Sequence, residues 1–273
     1  MSDQGFYVGV DAGSSATKCA VIDWHGNLVG CSAVPSGFDY AVASERCLEE
    51  ALGEAVITWD AVEGSISTGY GREHVKFAGR YLTEITCHAR GARQWNPDIR
   101  TIVDIGGQDT KVIRINDHGQ LVDYRMNAKC AAGTGTFLES IALKLGMSLT
   151  ALDSLAMEST AKTTINSYCT VFASTEVLER IKAGDPAPDI AMGLFRSIAS
   201  RTFEMMTSPG QGRVAGTGGV VAYCRSMVRA LGELLQDEVI IPPAPQFAGA
   251  YGAALEAKER GCGIRAREGA ESC

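Results

Sequence analysis

Two stretches of the chain share the same pattern of apolar and polar residues. Residues 6–11 and 18–23 are each mainly apolar, with a short polar turn between them, which predicts two strands joined in a hairpin. Residues 101–104 and 111–115 repeat this arrangement around a second turn that is rich in glycine. The chain is therefore expected to contain two similar β-hairpins, each closed by a tight turn.

The two hairpins also share residue identities, which predicts an internal duplication. Both read D-x-G-x-x-x-T-K, and the second copy follows the first at an offset of 93 residues. The shared positions are Asp11, Gly13, Thr17 and Lys18 in the first copy and Asp104, Gly106, Thr110 and Lys111 in the second. Because an apolar run precedes both copies, the match indicates two related domains that each open with a hairpin.

The spacing of apolar residues predicts most of the remaining elements. Helices are expected over residues 40–56, 85–94, 137–145, 177–181, 190–206, 223–235 and 248–258, and short strands over residues 64–67, 214–217 and 239–241. Asn96-Pro97 interrupts the pattern, so a domain boundary is placed at residues 96–99. The expected division is a first domain of residues 1–97 and 246–264, a second domain of residues 98–245, and a loose polar tail over residues 265–273.

The composition excludes several classes of protein. The chain has 273 residues, of which 45% are hydrophobic and 21% charged, so it is expected to be globular rather than disordered or coiled-coil. A net charge of -7 argues against a broad nucleic-acid-binding surface. No apolar run approaches the ~18 residues of a membrane helix, and the N-terminal residues lack the features of a signal peptide. A cytoplasmic protein with no membrane or nucleic-acid partner is therefore expected.

The glycine-containing turns are candidates for binding phosphate. A turn that carries Gly and Ser between two strands presents several backbone N–H groups to one anion. Asp11 and Asp104 end the strands before the two turns, where carboxylates can hold a hydrated Mg²⁺, and Lys18 can place a positive charge on a phosphate. A third glycine turn follows a predicted strand at residues 216–219.

Each turn alone is explained more simply as the closure of a hairpin, and Asp11 as a residue that stabilises its own turn. Three turns in the order Asp-Gly-Ser, Asp-Gly-Gly and Thr-Gly-Gly instead favour a nucleotide site. P-loop and Rossmann motifs are not supported. The order resembles the actin, sugar-kinase and Hsp70 superfamily of ATPases. That resemblance implies an α/β fold of two duplicated domains with an ATP cleft between them.

The resemblance also implies roles within the three turns. Residues 11–18 would form the first phosphate element, residues 104–109 the second, and Gly218-Gly219 the adenosine element. The implied catalytic residues, which would hold Mg²⁺ or position water near the γ-phosphate, are Asp11, Asp104 and Gln108. The implied nucleotide-binding residues are Gly13, Ser14, Ser15, Lys18, Gly106, Gly107, Gly218 and Gly219.

Two of the nine cysteines precede segments with helical spacing. Cys130 and Cys169 are each followed by Ser or Thr residues able to cap a helix, and a helix N-terminus lowers a thiol pKa and favours the metal-binding thiolate. A 4Fe–4S cluster usually needs four cysteines, which a two-fold dimer of such chains would supply. The alternative is a pair of buried, inert cysteines, as is expected for the core residues Cys19, Cys47 and Cys87.

Four segments together resemble one family within this superfamily. They are residues 127–135 (NAKCAAGTG), the CTVFA segment that begins at Cys169, residues 68–72 (TGYGR) and residues 104–109 (DIGGQD). They closely resemble the activator ATPase family of 2-hydroxyacyl-CoA dehydratases and ATP-dependent benzoyl-CoA reductases. The resemblance covers roughly residues 6–258. It implies an ATPase that drives a low-potential electron into a partner CoA-thioester enzyme.

The same resemblance implies cofactors and partners. ATP or ADP would bind with Mg²⁺, and one oxygen-sensitive 4Fe–4S cluster would be held by Cys130 and Cys169 of each of two subunits. These subunits would form a homodimer or a pair of related chains, with reduced ferredoxin or flavodoxin as electron donor. The partner would be a CoA-thioester reductase or dehydratase component. Thr136, where the family often has Arg, and residues 173–176 depart from the family pattern, so a free activator and a reductase subunit both stay open.

Two other functions also stay open. A small-molecule kinase of the amino-sugar type, with the same fold, would need a catalytic base for a hydroxyl group and would contain no cluster. A nucleotide-dependent binding or chaperone module would bind ATP without supporting turnover of a partner. The four histidines, His25, His74, His88 and His118, are scattered along the chain and are interpreted as core or surface residues.

Overall fold

The computed structural model describes residues 5–127, 134–163, 165, 170–206 and 212–261. The chain forms two compact units, one of Met1–Pro97 with Phe247–Cys273 and the other of Asp98–Gln246. The strands are β1 (Phe6–Ala12), β2 (Ala16–Ile22), β3 (Leu28–Pro35), β4 (Val62–Thr68), β5 (Arg80–Tyr81), β6 (Ile99–Ile105), β7 (Thr110–Ile115), β8 (Leu121–Asn127) and β9 (Arg213–Thr217). The helices are α1 (Tyr40–Ala55), α2 (Glu84–Trp95), α3 (Gly135–Lys144), α4 (Leu149–Met157), α5 (Thr170–Ala183), α6 (Ala187–Met205), α7 (Gly219–Tyr223), α8 (Arg225–Leu235) and α9 (Ala248–Arg260).

The first unit is built on a five-stranded mixed sheet. Its strands lie in the order β3-β2-β1-β4-β5, with β1 antiparallel to β2 and parallel to β4. α1 begins after Asp39, whose carboxylate accepts hydrogen bonds from the backbone N–H groups of Ala41 and Val42. The helix predicted over residues 40–56 is thereby confirmed, with its end one residue earlier.

Helices cover this sheet on both faces, as the side chains of β2 show. Cys19 and Val21 pack in the cluster that contains α1, whereas Ala20 and Ile22 pack in the cluster that contains α9. Side chains alternate between the faces of a strand, so a strand buried on both faces is a continuous apolar run. The small residues of α9 allow close packing, since a Cβ on Gly252 would collide with the backbone of α2.

The second unit repeats the sheet arrangement of the first. Its strands lie in the order β8-β7-β6-β9, with β6 antiparallel to β7 and parallel to β9. This matches the order β3-β2-β1-β4, so the predicted duplication and the α/β fold class are confirmed. Helices α3, α4, α6 and α8 pack with this sheet through buried residues that include Val103, Phe137, Leu152, Phe195 and Leu231.

The helix predicted over residues 223–235 is confirmed as α8 and begins two residues later, because Asp153 accepts hydrogen bonds from the backbone N–H groups of Arg225 and Ser226 and so caps a new helix there. Tyr223 instead ends the separate helix α7. The strand predicted over residues 239–241 was wrong. Residues 239–241 form no strand and contribute a single bridge, between Ile240 and Ala215. β8 was not predicted, because six of its seven residues are exposed and its sequence therefore lacks an alternating buried face.

Among the residues that the structure describes, no single helix is long and apolar enough to cross a membrane. α3 and α4 reach that length and composition only as a pair, and they are bent by 90° at their junction.

Candidate functional site

The turn after β1 places a lysine against an acidic residue. Asp11 in β1 lies opposite Lys18 in β2, and the Lys18 Nζ is 3.4 Å from the Asp11 Oδ2. Asp11 is buried, whereas Ser14 is half-buried and Ser15 is exposed in the turn. The first predicted phosphate element thus combines an accessible serine turn with a buried carboxylate near the end of the preceding strand.

The turn after β6 repeats this arrangement with a second carboxylate. Lys111 lies opposite Asp104, with its Nζ 3.5 Å from the Asp104 Oδ2 and 2.6 Å from the Asp109 Oδ2. Asp104 and Lys111 are both 3% exposed, and Gln108 is exposed in the turn. The D-x-G-x-x-x-T-K spacing therefore has a structural meaning, because it places Asp and Lys opposite each other across the hairpin.

The adenosine turn predicted at Gly218-Gly219 lies beside Asp104. Thr217 in β9 is in register with Asp104, and its hydroxyl donates a 3.0 Å hydrogen bond to the Asp104 Oδ1. Gly218 has a φ of +91°, and a Cβ there would lie 2.8 Å from the same oxygen, so the position requires glycine. The structure thus brings the second and third predicted turns together within this unit.

The first unit contains a matching Thr-Gly pair, which was not predicted as part of the repeat. Thr68 in β4 is in register with Asp11, and Gly69 follows it with a φ of +93°. A Cβ on Gly69 would lie 2.6 Å from the Asp11 Oδ1. The Thr-Gly dipeptide was the available signal, but two residues are too short a match to identify without the parallel register of the strands.

Ser36 supports the first turn and was also missed. Its hydroxyl donates a 2.6 Å hydrogen bond to the Gly13 carbonyl oxygen, and its backbone N–H donates to the Ser15 carbonyl oxygen at 3.2 Å. The Thr17 hydroxyl oxygen lies 2.9 Å from that of Ser36. Ser36 is 23 residues from Gly13, so no local pattern links it to the turn.

The second turn is hydrogen-bonded to the start of α3. The backbone N–H of Gly135 donates to the Gly106 carbonyl oxygen at 2.9 Å, and that of Thr136 donates to the Gly107 carbonyl oxygen at 2.8 Å. The Thr136 hydroxyl donates to the same Gly107 oxygen at 2.5 Å. Because α3 begins five residues after Cys130, the second predicted phosphate turn is bonded directly to the helix that follows a predicted cluster ligand.

Most of the chain matches one known protein family. Residues 8–257 match the model of the BadF/BadG/BcrA/BcrD ATPase family. The chain belongs to this ATPase family. The resemblance drawn from the sequence is thereby confirmed.

Two curated members of the family illustrate its range. The 2-hydroxyisocaproyl-CoA dehydratase activator of Clostridioides difficile is 36% identical over 258 residues, which cover 93% of this chain and 97% of that protein. A benzoyl-CoA reductase subunit from Thauera aromatica is 32% identical over 259 residues, which cover 90% of this chain and 91% of that protein. The chain is thus similar along almost its whole length to both an activator and a component of a reductase.

A solved structure of the family shares the same fold. It is the activator of the 2-hydroxyisocaproyl-CoA dehydratase from Clostridium difficile with bound ADPNP, at 35% identity and a TM-score of 0.87. The alignment covers 94% of this chain and 95% of that one. The similarity therefore extends over both units of this family member.

The five described cysteines of this ATPase are poor candidates for metal ligands. Burial raises the pKa of the Cys31 and Cys47 thiols to about 11 and that of Cys87 and Cys224 to about 12, and it raises the pKa of Cys19 well above its ordinary value. Such thiols are protonated at neutral pH, whereas metals bind the thiolate. The predicted core positions of Cys19, Cys47 and Cys87 are confirmed, since all three are fully buried.

The two predicted cluster ligands, Cys130 and Cys169, lie outside the described residues. α5 begins at Thr170, directly after Cys169 in the sequence, and α3 begins shortly after Cys130. Helices therefore follow both cysteines, as the sequence analysis predicted. Over the ranges that the structure does describe, no group of three or more His, Cys, Asp or Glu side chains is arranged to hold a metal ion.

Proposed function

We propose that this chain is an ATP-hydrolysing iron–sulfur protein that drives a low-potential electron into a partner CoA-thioester enzyme. The relatives named above support a 2-hydroxyacyl-CoA dehydratase or a benzoyl-CoA reductase component as that partner. The observation that carries the proposal is the hydrogen bonding of Gly135 and Thr136 to Gly106 and Gly107. It supports the proposal because it would connect the proposed phosphate turn directly to the helix after Cys130.

The nucleotide and Mg²⁺ are assigned to the turns described above. Asp11 and Asp104 present carboxylate oxygens, the hard ligands that Mg²⁺ prefers, and would hold the ion and orient the attacking water, with Gln108 near the γ-phosphate. The phosphate contacts would be Gly13, Ser14, Ser15, Lys18, Gly106 and Gly107, and the adenosine contacts Gly218 and Gly219. Family membership and the ADPNP bound to a relative support nucleotide binding here.

A 4Fe–4S cluster shared by two copies of the chain fits the available sulfur ligands. The described cysteines are protonated thiols, whereas Cys130 and Cys169 precede α3 and α5, and the dipole at a helix N-terminus favours a thiolate. Two such residues from each copy would provide the four ligands that the cluster usually needs. When bound, the cluster would supply a one-electron carrier, with ferredoxin or flavodoxin as its donor.

The two backbone hydrogen bonds between the turn and α3 would couple movement of the turn to movement of the helix. Separating the turn from α3 would break two backbone hydrogen bonds, each worth about 0.5–1.5 kcal/mol net. Movement of residues 106–107 on ATP binding or hydrolysis would therefore carry the start of α3 with it. Lowering a one-electron reduction potential by ~300 mV requires about 7 kcal/mol. Little of the free energy of ATP binding and hydrolysis can therefore be lost between the turn and the cluster.

Metal content under anoxic conditions tests the proposal. The purified protein is expected to contain about four iron and four sulfide per dimer. Cys130→Ser and Cys169→Ser should each lose iron and partner turnover while they retain ATP binding, and Cys31→Ser serves as the matched control that keeps its iron. Iron-free wild-type protein, or iron that persists when residues 130 and 169 are both replaced, would contradict the proposal.

Co-purification distinguishes the two branches of the family. A dimer of this chain that separates readily from the dehydratase supports a free activator. A stable complex with other subunits supports a reductase component. Iron-free protein that phosphorylates the hydroxyl group of a small molecule would instead indicate a kinase of the same fold.

A further inference from the structure

His88 lies buried near Asp11, a position that its place in the sequence did not reveal. It belongs to α2 and is 4% exposed. α2 packs against α9, and α9 packs against β1, the strand that carries Asp11. Buried polar groups are nearly always hydrogen-bonded, so the imidazole is expected to have polar partners. The polar groups near it therefore indicate its role.

Gly249 marks a small space shared by the imidazole and the carboxylate. It is the second residue of α9, and a Cβ there would lie 2.8 Å from the His88 Nε2 and 3.3 Å from the Asp11 Oδ2. Both polar atoms therefore border the same point. Any side chain at position 249 would enter the space that the two groups share.

The two oxygens of Asp11 have different surroundings. Oδ2 borders the space beside His88 and lies 3.4 Å from the Lys18 Nζ. Oδ1 lies next to Gly69, where a Cβ would be 2.6 Å away, and it is the oxygen nearer to the Gly13 turn. Oδ2 thus faces Lys18 and the space beside His88, whereas Oδ1 faces Gly69 and the Gly13 turn.

Comparison of the two copies of the repeat shows what the first copy lacks. In the second unit, the Thr217 hydroxyl donates to Asp104 and fixes that carboxylate. In the first unit, the corresponding Thr68 hydroxyl donates instead to the Leu82 carbonyl oxygen at 3.0 Å. The threonine that anchors one carboxylate therefore does not donate to the other, and the imidazole of His88 borders Asp11 on its Oδ2 side.

We propose that His88 is a positioning residue for Asp11 in ATP hydrolysis. Its Nε2 acts as a donor toward Oδ2 across the space beside Gly249. Together with Lys18 it holds the carboxylate in one rotamer, with Oδ1 presented to the Mg²⁺ of the bound nucleotide. This inference depends on the ATPase part of the proposed function and not on the cluster.

Paired substitutions at residue 88 test the inference. His88→Ala should lower kcat for ATP hydrolysis by about tenfold to a hundredfold and raise the Mg²⁺ concentration needed for half-maximal activity several-fold, because small misplacements of catalytic groups are costly. The KM for ATP should change by less than about threefold, since phosphate and adenosine contacts are untouched. His118→Ala, in an exposed turn, is the matched control and should behave as wild type.

Conservative replacements separate positioning from packing. His88→Gln places an amide nitrogen near the position of Nε2 and should restore kcat to within about threefold of wild type, whereas His88→Asn places it near Nδ1 and should not. Gly249→Ala should resemble His88→Ala. Folded His88→Ala protein with wild-type kcat and Mg²⁺ dependence, or equal activity in the Gln and Asn variants, would overturn the inference.

The wild-type protein separates this inference from the proposed function. Active but iron-free wild-type protein would contradict the iron–sulfur proposal, and the comparison of His88 variants would still decide the role of this residue. If wild-type protein binds ATP without hydrolysing it, the positioning role in hydrolysis is overturned together with the proposed ATPase activity. Iron-loaded, ATP-hydrolysing protein with insensitive His88 variants contradicts only the inference.

Discussion

The backbone N–H of Thr136, in the first turn of α3, donates a 2.8 Å hydrogen bond to the carbonyl oxygen of Gly107. The neighbouring Gly135 N–H donates to Gly106 in the same way, so the turn and the helix are joined by two consecutive backbone bonds. The turn is the second predicted phosphate element, and the helix follows Cys130. These two bonds therefore link the predicted nucleotide site to the helix that follows a predicted cluster ligand.

Thr136→Val should weaken this link and leave the fold intact. The change removes the hydroxyl bond to Gly107 and preserves the backbone bond, a loss of about 1 kcal/mol or a factor of about five. Partner turnover per ATP hydrolysed should fall by about that factor, while ATP hydrolysis stays within about twofold. Thr150→Val, on the exposed start of α4, is the control. An unchanged ratio of turnover to hydrolysis would show that the hydroxyl has no part in coupling.

Asp104→Asn should abolish most ATP hydrolysis. Removal of the charge takes away the proposed Mg²⁺ and water ligand, and kcat should fall by about 10²-fold or more, with a smaller effect on ATP affinity. It also removes one of the acidic contacts of the buried Lys111, so the free energy of unfolding should fall by about 1–3 kcal/mol. Assays of phosphate release and urea unfolding measure the two effects. Asp60→Asn, at an exposed position, should change neither.

Gly218→Ala and Gly53→Ala should change stability in opposite directions. Alanine at 218 must adopt a φ of +91° and would place its Cβ against the Ile105 carbonyl oxygen, so this variant should unfold more easily by at least about 1–2 kcal/mol and bind ATP at least about tenfold more weakly. Alanine at 53 lies in α1 with no atom within 4 Å of its Cβ, and should stabilise the protein by up to about 1 kcal/mol. Urea midpoints and ATP titration provide the measurements. Wild-type ATP affinity in Gly218→Ala would exclude this turn from the nucleotide site.

Alkylation of the half-buried Cys31 should increase steeply with pH. Burial raises the pKa of its thiol to about 11, aided by the nearby charge of Glu54, so the neutral thiol predominates at pH 8 and the thiolate fraction is roughly one in a thousand. Because the thiolate is the reactive form, the rate with iodoacetamide should rise about tenfold per pH unit between pH 8 and 10. In protein freed of metal by a chelator, Cys130 and Cys169 should react much faster at pH 8. Mass spectrometry of labelled peptides gives both rates, and a Cys31 rate that levels off near pH 9 would contradict the raised pKa.

Sequence periodicity predicted the elements whose pattern is local. α1 has a buried stripe at helical spacing and a capping Asp39, and both features lie within the segment itself. The split between α7 and α8 was not predictable in this way, because Asp153, which caps α8, is more than 70 residues earlier in the chain. β8 was missed for a different reason, since an almost fully exposed strand leaves no alternation to detect.

The residues of the candidate site fall into the same two groups, those set by local spacing and those set by long-range contacts. The sequence by itself determined the duplicated D-x-G-x-x-x-T-K hairpin, because Asp and Lys at that separation face each other whenever the turn closes. Only the tertiary structure decided that a Thr-Gly pair lies in parallel register with each aspartate, and that Ser36 and His88 approach the first turn from distant segments. Parallel pairing and helix packing join residues with no fixed separation along the chain, so contacts of this kind leave no period or spacing in the sequence.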